Sequence, residues 1–159
     1  MIDLNTLKIV LFDFDDTLAI WENHKTTAED FSYMRQVIDF GAETWSNCKP
    51  NAQMQKFLNM CIQKGVRVGL LSKTVSVLHM LGKAEWVKLN YGVDLENFCV
   101  SEMPMKVEML KGIAEAYHYQ PNEVALVDDL WEHTEKAANA GFCAYTPMEI
   151  VNFVDSLEN

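Results

Sequence analysis

Ile9-Val10-Leu11-Phe12-Asp13-Phe14-Asp15-Asp16-Thr17-Leu18 is an apolar run that stops abruptly on carboxylates. Four consecutive apolar residues bounded by a polar cluster suit a strand covered on both faces, as in a parallel sheet. Ligands of such sheets bind beyond the carboxyl ends of the strands, which is where Asp13 and Asp15 fall. In an extended segment alternate residues share a side, so Asp13 and Asp15 are expected together and Phe14 opposite. Two crowded carboxylates repel one another, and if both ionise they favour a cation between them. Oxygen ligands of this kind suit magnesium, which keeps water and substrate phosphate as its other ligands. An Asp-rich turn is the plain alternative, since Asp is common in turns; the rest of the chain decides.

Outward from this stretch, strands alternate with helices. Thr27 and Asp30 read as a helix start, and Phe31, Met34, Val37, Ile38, Ala42 and Trp45 give one apolar stripe on a helix over about 28–45. Lys49-Pro50-Asn51 breaks that pattern. Met54, Phe57, Leu58, Cys61 and Ile62 mark a second helix, which Gly65 ends in the left-handed conformation. Val66 to Leu71 reads as a second buried strand, ending in Ser72, Lys73 and Thr74. A helix over 75–90 follows, closed by Tyr91-Gly92, then a short strand over 97–100. Met103-Pro104-Met105-Lys106 opens the next helix, with Pro suited to a first turn. Lys106 sits there against the macrodipole preference for acids, which suggests an anionic partner. Val124 to Val127 is a fourth strand ending in Asp128-Asp129, a second carboxylate pair at a strand terminus. A helix over 132–140, a strand over 142–145 and a helix over 147–157 complete the chain. The alternation predicts an α/β fold with a parallel sheet wrapped on both faces.

Composition bounds the function. At 159 residues one domain is expected. A net charge of -10 disfavours a nucleic-acid partner, whose phosphates require a basic surface. Cys48, Cys61, Cys99 and Cys143 form no metal-ligand spacing and read as free thiols. With neither a secretory pattern nor a long apolar run, a cytoplasmic location without membrane contact is expected.

Side by side in one sheet, the strand ends would gather Asp13, Asp15, Thr17, Ser72, Lys106, Asp128 and Asp129. In order and type this set resembles the haloacid dehalogenase (HAD) superfamily of phosphatases and phosphotransferases, over nearly the whole chain. The first motif is Asp13-Phe14-Asp15-Asp16-Thr17, the second Leu70-Leu71-Ser72, the third Lys106 and the fourth Val127-Asp128-Asp129. The layout is closest to small, cap-poor, magnesium-dependent phosphatases. The resemblance implies a three-layer, Rossmann-like core with strand order 5-4-1-2-3, in which the chain's five sheet strands are numbered in sequence, and a flap and helix inserted at about 19–48.

By the same resemblance Asp13 is the nucleophile, Asp15 the general acid and base, and Thr17 orients the loop holding Asp15. The phosphate is held by Ser72, Lys73, Lys106 and the backbone after Asp13, at Phe14. The Mg2+ ligands are Asp13, the Asp15 carbonyl and Asp129, with Asp128 pairing Lys106 or a metal-bound water. His133 stands where relatives often carry Asp or Asn. Trp21 and Trp131 are expected in loops near the site, as packing residues or as stacking surfaces for a substrate. The implied activity is phosphomonoester hydrolysis through an aspartyl-phosphate, with phosphotransfer or a non-catalytic binding role as alternatives. The short insertion implies a lightly covered site. That fits a phosphorylated protein or sugar, or a small molecule enclosed by a neighbouring subunit of a homo-oligomer. A receiver domain of two-component signalling uses similar residues, but there Lys comes last, whereas here Lys106 precedes Asp128.

Overall fold

The computed structural model describes residues 2–22, 45–74, 76–100 and 105–158. Its elements are β1 (Ile9–Phe12), β2 (Ala19–Trp21), β3 (Cys48–Pro50), α1 (Ala52–Gln63), β4 (Arg67–Lys73), α2 (Val77–Tyr91), β5 (Glu96–Val100), α3 (Met105–Tyr117), β6 (Val124–Val127), α4 (Trp131–Asn139), β7 (Cys143–Tyr145) and α5 (Pro147–Glu158). Five strands form a parallel sheet in the order β5-β4-β1-β6-β7. Read from the other edge, this is the order expected from the resemblance. The first strand is central, between β4 and β6.

The central strand is buried along its whole length. Val10 and Phe12 pack on one face and Ile9 and Leu11 on the other, as the period of two requires. On the first face lie Met54, Phe57, Leu58 and Cys61 of α1, Trp86 and Val87 of α2, and Ile150 and Val154 of α5. The second is covered by Leu110, Ile113 and Ala114 of α3 and Ala137 of α4. The result is three layers, helix on sheet on helix.

Local chemistry sets the element ends. Asn51 caps α1, its side chain accepting from the N–H groups of Gln53 at 3.1 Å and Met54 at 3.2 Å. Gly65 follows α1 at φ +75°, the left-handed conformation expected of it. Gly69, in β4, answers to close packing: a Cβ there would lie 2.7 Å from Leu11 Cδ2 and 3.0 Å from Phe98 Cε2.

The flap expected in the insertion is built from its two ends. β2 pairs antiparallel with β3, Trp21 opposite Cys48 and Ala19 opposite Pro50, so the hairpin closes on the far end of the insertion. Pro50 is tolerated because it ends a two-stranded ribbon, where a missing N–H costs little. Tyr91 ties this flap down, its hydroxyl donating to Leu18 O at 2.6 Å and accepting from Asn51 N–H at 2.9 Å. The helix expected over 28–45 lies outside the described residues except for Trp45, which is fully buried against Phe14. Among the described residues no helix is long and apolar enough to cross a membrane.

Candidate active site

Register delivers the carboxylates. Phe12 pairs with Val127 and Leu70, so Asp13 and Asp128, just beyond β1 and β6, and Ser72, near the end of β4, lie at one end of the sheet. Asp13 N–H still bonds to Val127 O at 2.8 Å and Asp128 N–H to Tyr145 O at 3.1 Å, which holds both backbones in register. After Asp13 the chain turns sharply. Phe14 O accepts from Leu18 N–H at 3.0 Å and Ala19 N–H at 2.9 Å, and Asp16 takes a left-handed φ of 53°. The Phe14 ring is locked edge-on between Trp45 and Trp86. A core side chain thereby anchors a loop of acids.

Two lysines divide these groups. Lys106, the second residue of α3, lies 2.8 Å from Asp13 Oδ1 and 2.6 Å from Asp128 Oδ2, and is 1% exposed. Burial alone would lower its pKa, but the two carboxylates prevail and raise it. Asp128 is fully buried and also accepts from Leu130 N–H at 2.9 Å, while His133 Nδ1 lies 2.9 Å from its Oδ2. Despite burial, the His133 and Lys106 contacts hold its carboxyl below the usual range.

The second lysine, Lys83 of α2, is likewise 1% exposed. Its ammonium donates to Asp15 Oδ2 at 2.8 Å, Ser72 Oγ at 2.9 Å and Lys73 O at 3.1 Å. Asp15 Oδ1 accepts from Trp21 Nε1 at 3.1 Å. Against the cost of burial, Lys83 and Trp21 keep the Asp15 carboxyl below its ordinary value.

The carboxylate oxygens of Asp13, Asp128 and Asp129 lie within 4.8 Å of one another, a spacing that could hold a metal ion. Burial pushes Asp13 up, with Asp128 and Asp15 adding to the rise and Lys106 opposing it. Burial and then repulsion from Asp13, Asp128 and Asp16 push Asp129 to about 7. The four carboxyls of Asp13, Asp15, Asp128 and Asp129 face two ammonium groups, a deficit that a divalent cation matches. The all-oxygen donor set is of the kind Mg2+ prefers.

Of the residues singled out from the sequence, Asp13, Lys106, Asp128 and Asp129 form one group, while Asp15 and Ser72 meet in a second through Lys83. Thr17 Oγ1 is fully buried and has no hydrogen-bond partner among the described residues, so the orienting bond expected of it is not made; the backbone of the turn holds the loop instead. Lys73 directs an exposed side chain away from the core and contributes its carbonyl to Lys83. Trp21 belongs to β2 rather than a loop and bonds Asp15. Trp131 is the first residue of α4, 64% exposed. Lys83 was missed from the sequence, although a signal exists. It occupies the buried stripe of α2 formed by His79, Gly82, Trp86 and Val87, where a lysine needs a buried partner.

No family model and no curated protein matches this sequence. Solved structures do. The cobalt-bound deoxy-D-mannose-octulosonate 8-phosphate phosphatase of Haemophilus influenzae aligns with a TM-score of 0.54 at 14% identity, over 90% of this chain and 70% of its own. The phosphatase domain in the N-terminal part of protein BF1531 of Bacteroides fragilis, complexed with Mg, gives 0.60 at 13%, over 96% of this chain and 39% of its own. A HAD-family enzyme of Bacteroides thetaiotaomicron, complexed with magnesium and inorganic phosphate, gives 0.56 at 18%, over 88% and 93%. At these identities the likeness is one of fold: the chain has the Rossmann-like core of HAD phosphatases.

Proposed function

We propose that this chain is a magnesium-dependent phosphomonoesterase of the HAD type that works through an aspartyl-phosphate on Asp13. The observation that carries the reading is the convergence of Asp13, Asp128 and Asp129 around a common point, with Lys106 buried between the first two. Asp13, Asp129 and the Asp15 carbonyl would hold Mg2+, since both Asp128 oxygens already accept from nitrogen donors. When bound, the ion supplies positive charge against the phosphate and the carboxylates.

An Asp13 oxygen attacks phosphorus, and the bond from phosphorus to the leaving oxygen breaks. Lys106 fixes the attacking carboxylate, while the Ser72 hydroxyl and the backbone after Asp13, at Phe14, bind phosphate oxygens. Lys73, at the sheet end with its side chain in solvent, is free to reach a substrate anion. Asp15 rests as a carboxylate, so a proton for an alcohol leaving group arrives on the substrate's phosphate monoanion and passes through Asp15. Asp15 then takes a proton from the water that attacks the aspartyl-phosphate. The bond from phosphorus to Asp13 breaks, inorganic phosphate leaves with Asp13 restored, and Asp15 returns its proton to the departing phosphate. A light cover over the site suits a phosphorylated protein, a sugar phosphate or another small phosphate ester.

The test is phosphate release from an aryl phosphate with Mg2+, in the wild type, in Asp13→Asn and with chelator. Turnover that disappears in both controls is the expected result. Turnover that survives Asp13→Asn ends the nucleophile assignment, and the absence of both turnover and Mg2+ binding leaves a HAD-like binding protein.

A further inference from the structure

We infer that Lys83 is a positioning residue of this site, which holds Asp15 in place and turns the Ser72 hydroxyl toward the phosphate. The inference rests on the phosphatase reading for Asp15, and on phosphate binding alone for Ser72.

A buried lysine is costly unless its donors are satisfied and its charge is paired. Lys83 meets both conditions, with an acceptor for each of its three N–H groups: Asp15 Oδ2, Ser72 Oγ and Lys73 O. An ammonium donates and never accepts. Ser72 Oγ is therefore the acceptor of its bond with Lys83, and the serine's own O–H is left to donate elsewhere. Ser72 stands beside Asp13 at the sheet end, so an anion there accepts the hydrogen bond from its O–H. Lys106 does not duplicate the arrangement, because its ammonium goes to Asp13 and Asp128.

The same ammonium fixes Asp15. One carboxylate oxygen accepts from Lys83 and the other from Trp21 Nε1, so the carboxylate plane is set by two donors from α2 and β2. The Lys83 ammonium lies over the face of Phe14, its Nζ 5.0 Å from the ring centroid. With its donors occupied, Lys83 acts through Asp15 and Ser72 rather than on the substrate. It links the phosphate-holding strand to the proton-transfer loop.

The test uses Lys83→Met, which keeps the length of the side chain and removes its donors. Kinetics with an aryl phosphate and Mg2+ are combined with calorimetric titration of inorganic phosphate, also with Mg2+. The expected result is a kcat lowered about 10²-fold, the scale of a misplaced reacting group, and a phosphate Kd raised about tenfold, the scale of a lost bond to a charged group. In a Ser72→Ala background Lys83→Met should leave the phosphate Kd where Ser72→Ala alone puts it. A wild-type kcat and phosphate Kd in a folded Lys83→Met protein, or losses that add in the double variant, would overturn the inference. If Lys83→Met does not fold, Lys83→Leu decides by the same criteria, since it too removes every donor. A wild type that binds phosphate without turnover ends the phosphatase reading, and the phosphate Kd series still decides the role of Lys83 toward Ser72.

Discussion

Lys106 Nζ lies 2.6 Å from Asp128 Oδ2, a contact between a helix start and a strand end in which both side chains are buried. With Asp13 on its other side at 2.8 Å, the lysine is shared by two carboxylates. Lys106→Met would leave both without a cation. Removing one partner of a buried pair costs about 3–5 kcal/mol. Urea unfolding should therefore show a much lower midpoint, and Asp13→Asn in the same chain should recover part of the loss. Turnover should vanish as well.

With Asp129 as a ligand, as proposed, metal binding should depend on pH. The Asp129 carboxyl titrates near 7 because of burial and three neighbouring acids, so below that pH a proton occupies the position Mg2+ needs. Magnesium affinity should climb as pH rises through about 7 and level off above it. Calorimetric titrations of Mg2+ across that range check this, and Asp129→Asn should remove most of the slope.

The metal-free protein should respond to pH in the opposite sense. A carboxyl raised above its unfolded value of 3.8 binds more protons when folded than unfolded between the two values. Stability is lost as pH rises from about 4 to about 7, and Asp13, also raised, adds to the trend. Thermal unfolding at pH 8 should give a higher midpoint for Asp129→Asn than for the wild type, and saturating Mg2+ should reverse that order.

Alkyl and aryl phosphates should differ in pH profile. Lys83 and Trp21 hold Asp15 ionised, so an alkyl ester relies on the proton of its own phosphate monoanion. At saturating Mg2+, kcat/KM for an alkyl phosphate should fall as pH rises above about 6, the second phosphate pKa. An aryl phosphate with an acidic phenol, which leaves without a proton, should not fall in step.

Gly69→Ala should destabilise the fold without touching the chemistry. The added methyl would meet Leu11, Phe98 and the Glu96 carbonyl, the nearest at 2.7 Å. Overpacking of this kind costs about 1–3 kcal/mol, readable as a shift in the urea midpoint.

The order of elements and the chemistry at their ends were legible in the sequence. Ile9 to Phe12 reads as buried on both faces, and Asp13, Ser72 and Asp128 each follow an apolar run that suits a core strand. These are local properties, set by side-chain type and by the periods of strand and helix. Their convergence follows once the strands are parallel, because every strand of such a sheet points its carboxyl end the same way.

What the tertiary structure alone decided is which charges meet. Lys83 is 68 positions from Asp15 and 11 from Ser72, and only the packing of α2 on the sheet brings its ammonium between them. Packing likewise separated the fourth-motif acids, burying Asp128 under three nitrogen donors while Asp129 stayed open to a cation. It also paired β2 with β3 across the whole insertion, a contact with no local signal. Hydrophobic pattern places a residue inside or outside the protein. Which partner a buried charge finds depends on distances of a few ångströms between elements far apart in the chain, and those are fixed only when the core closes.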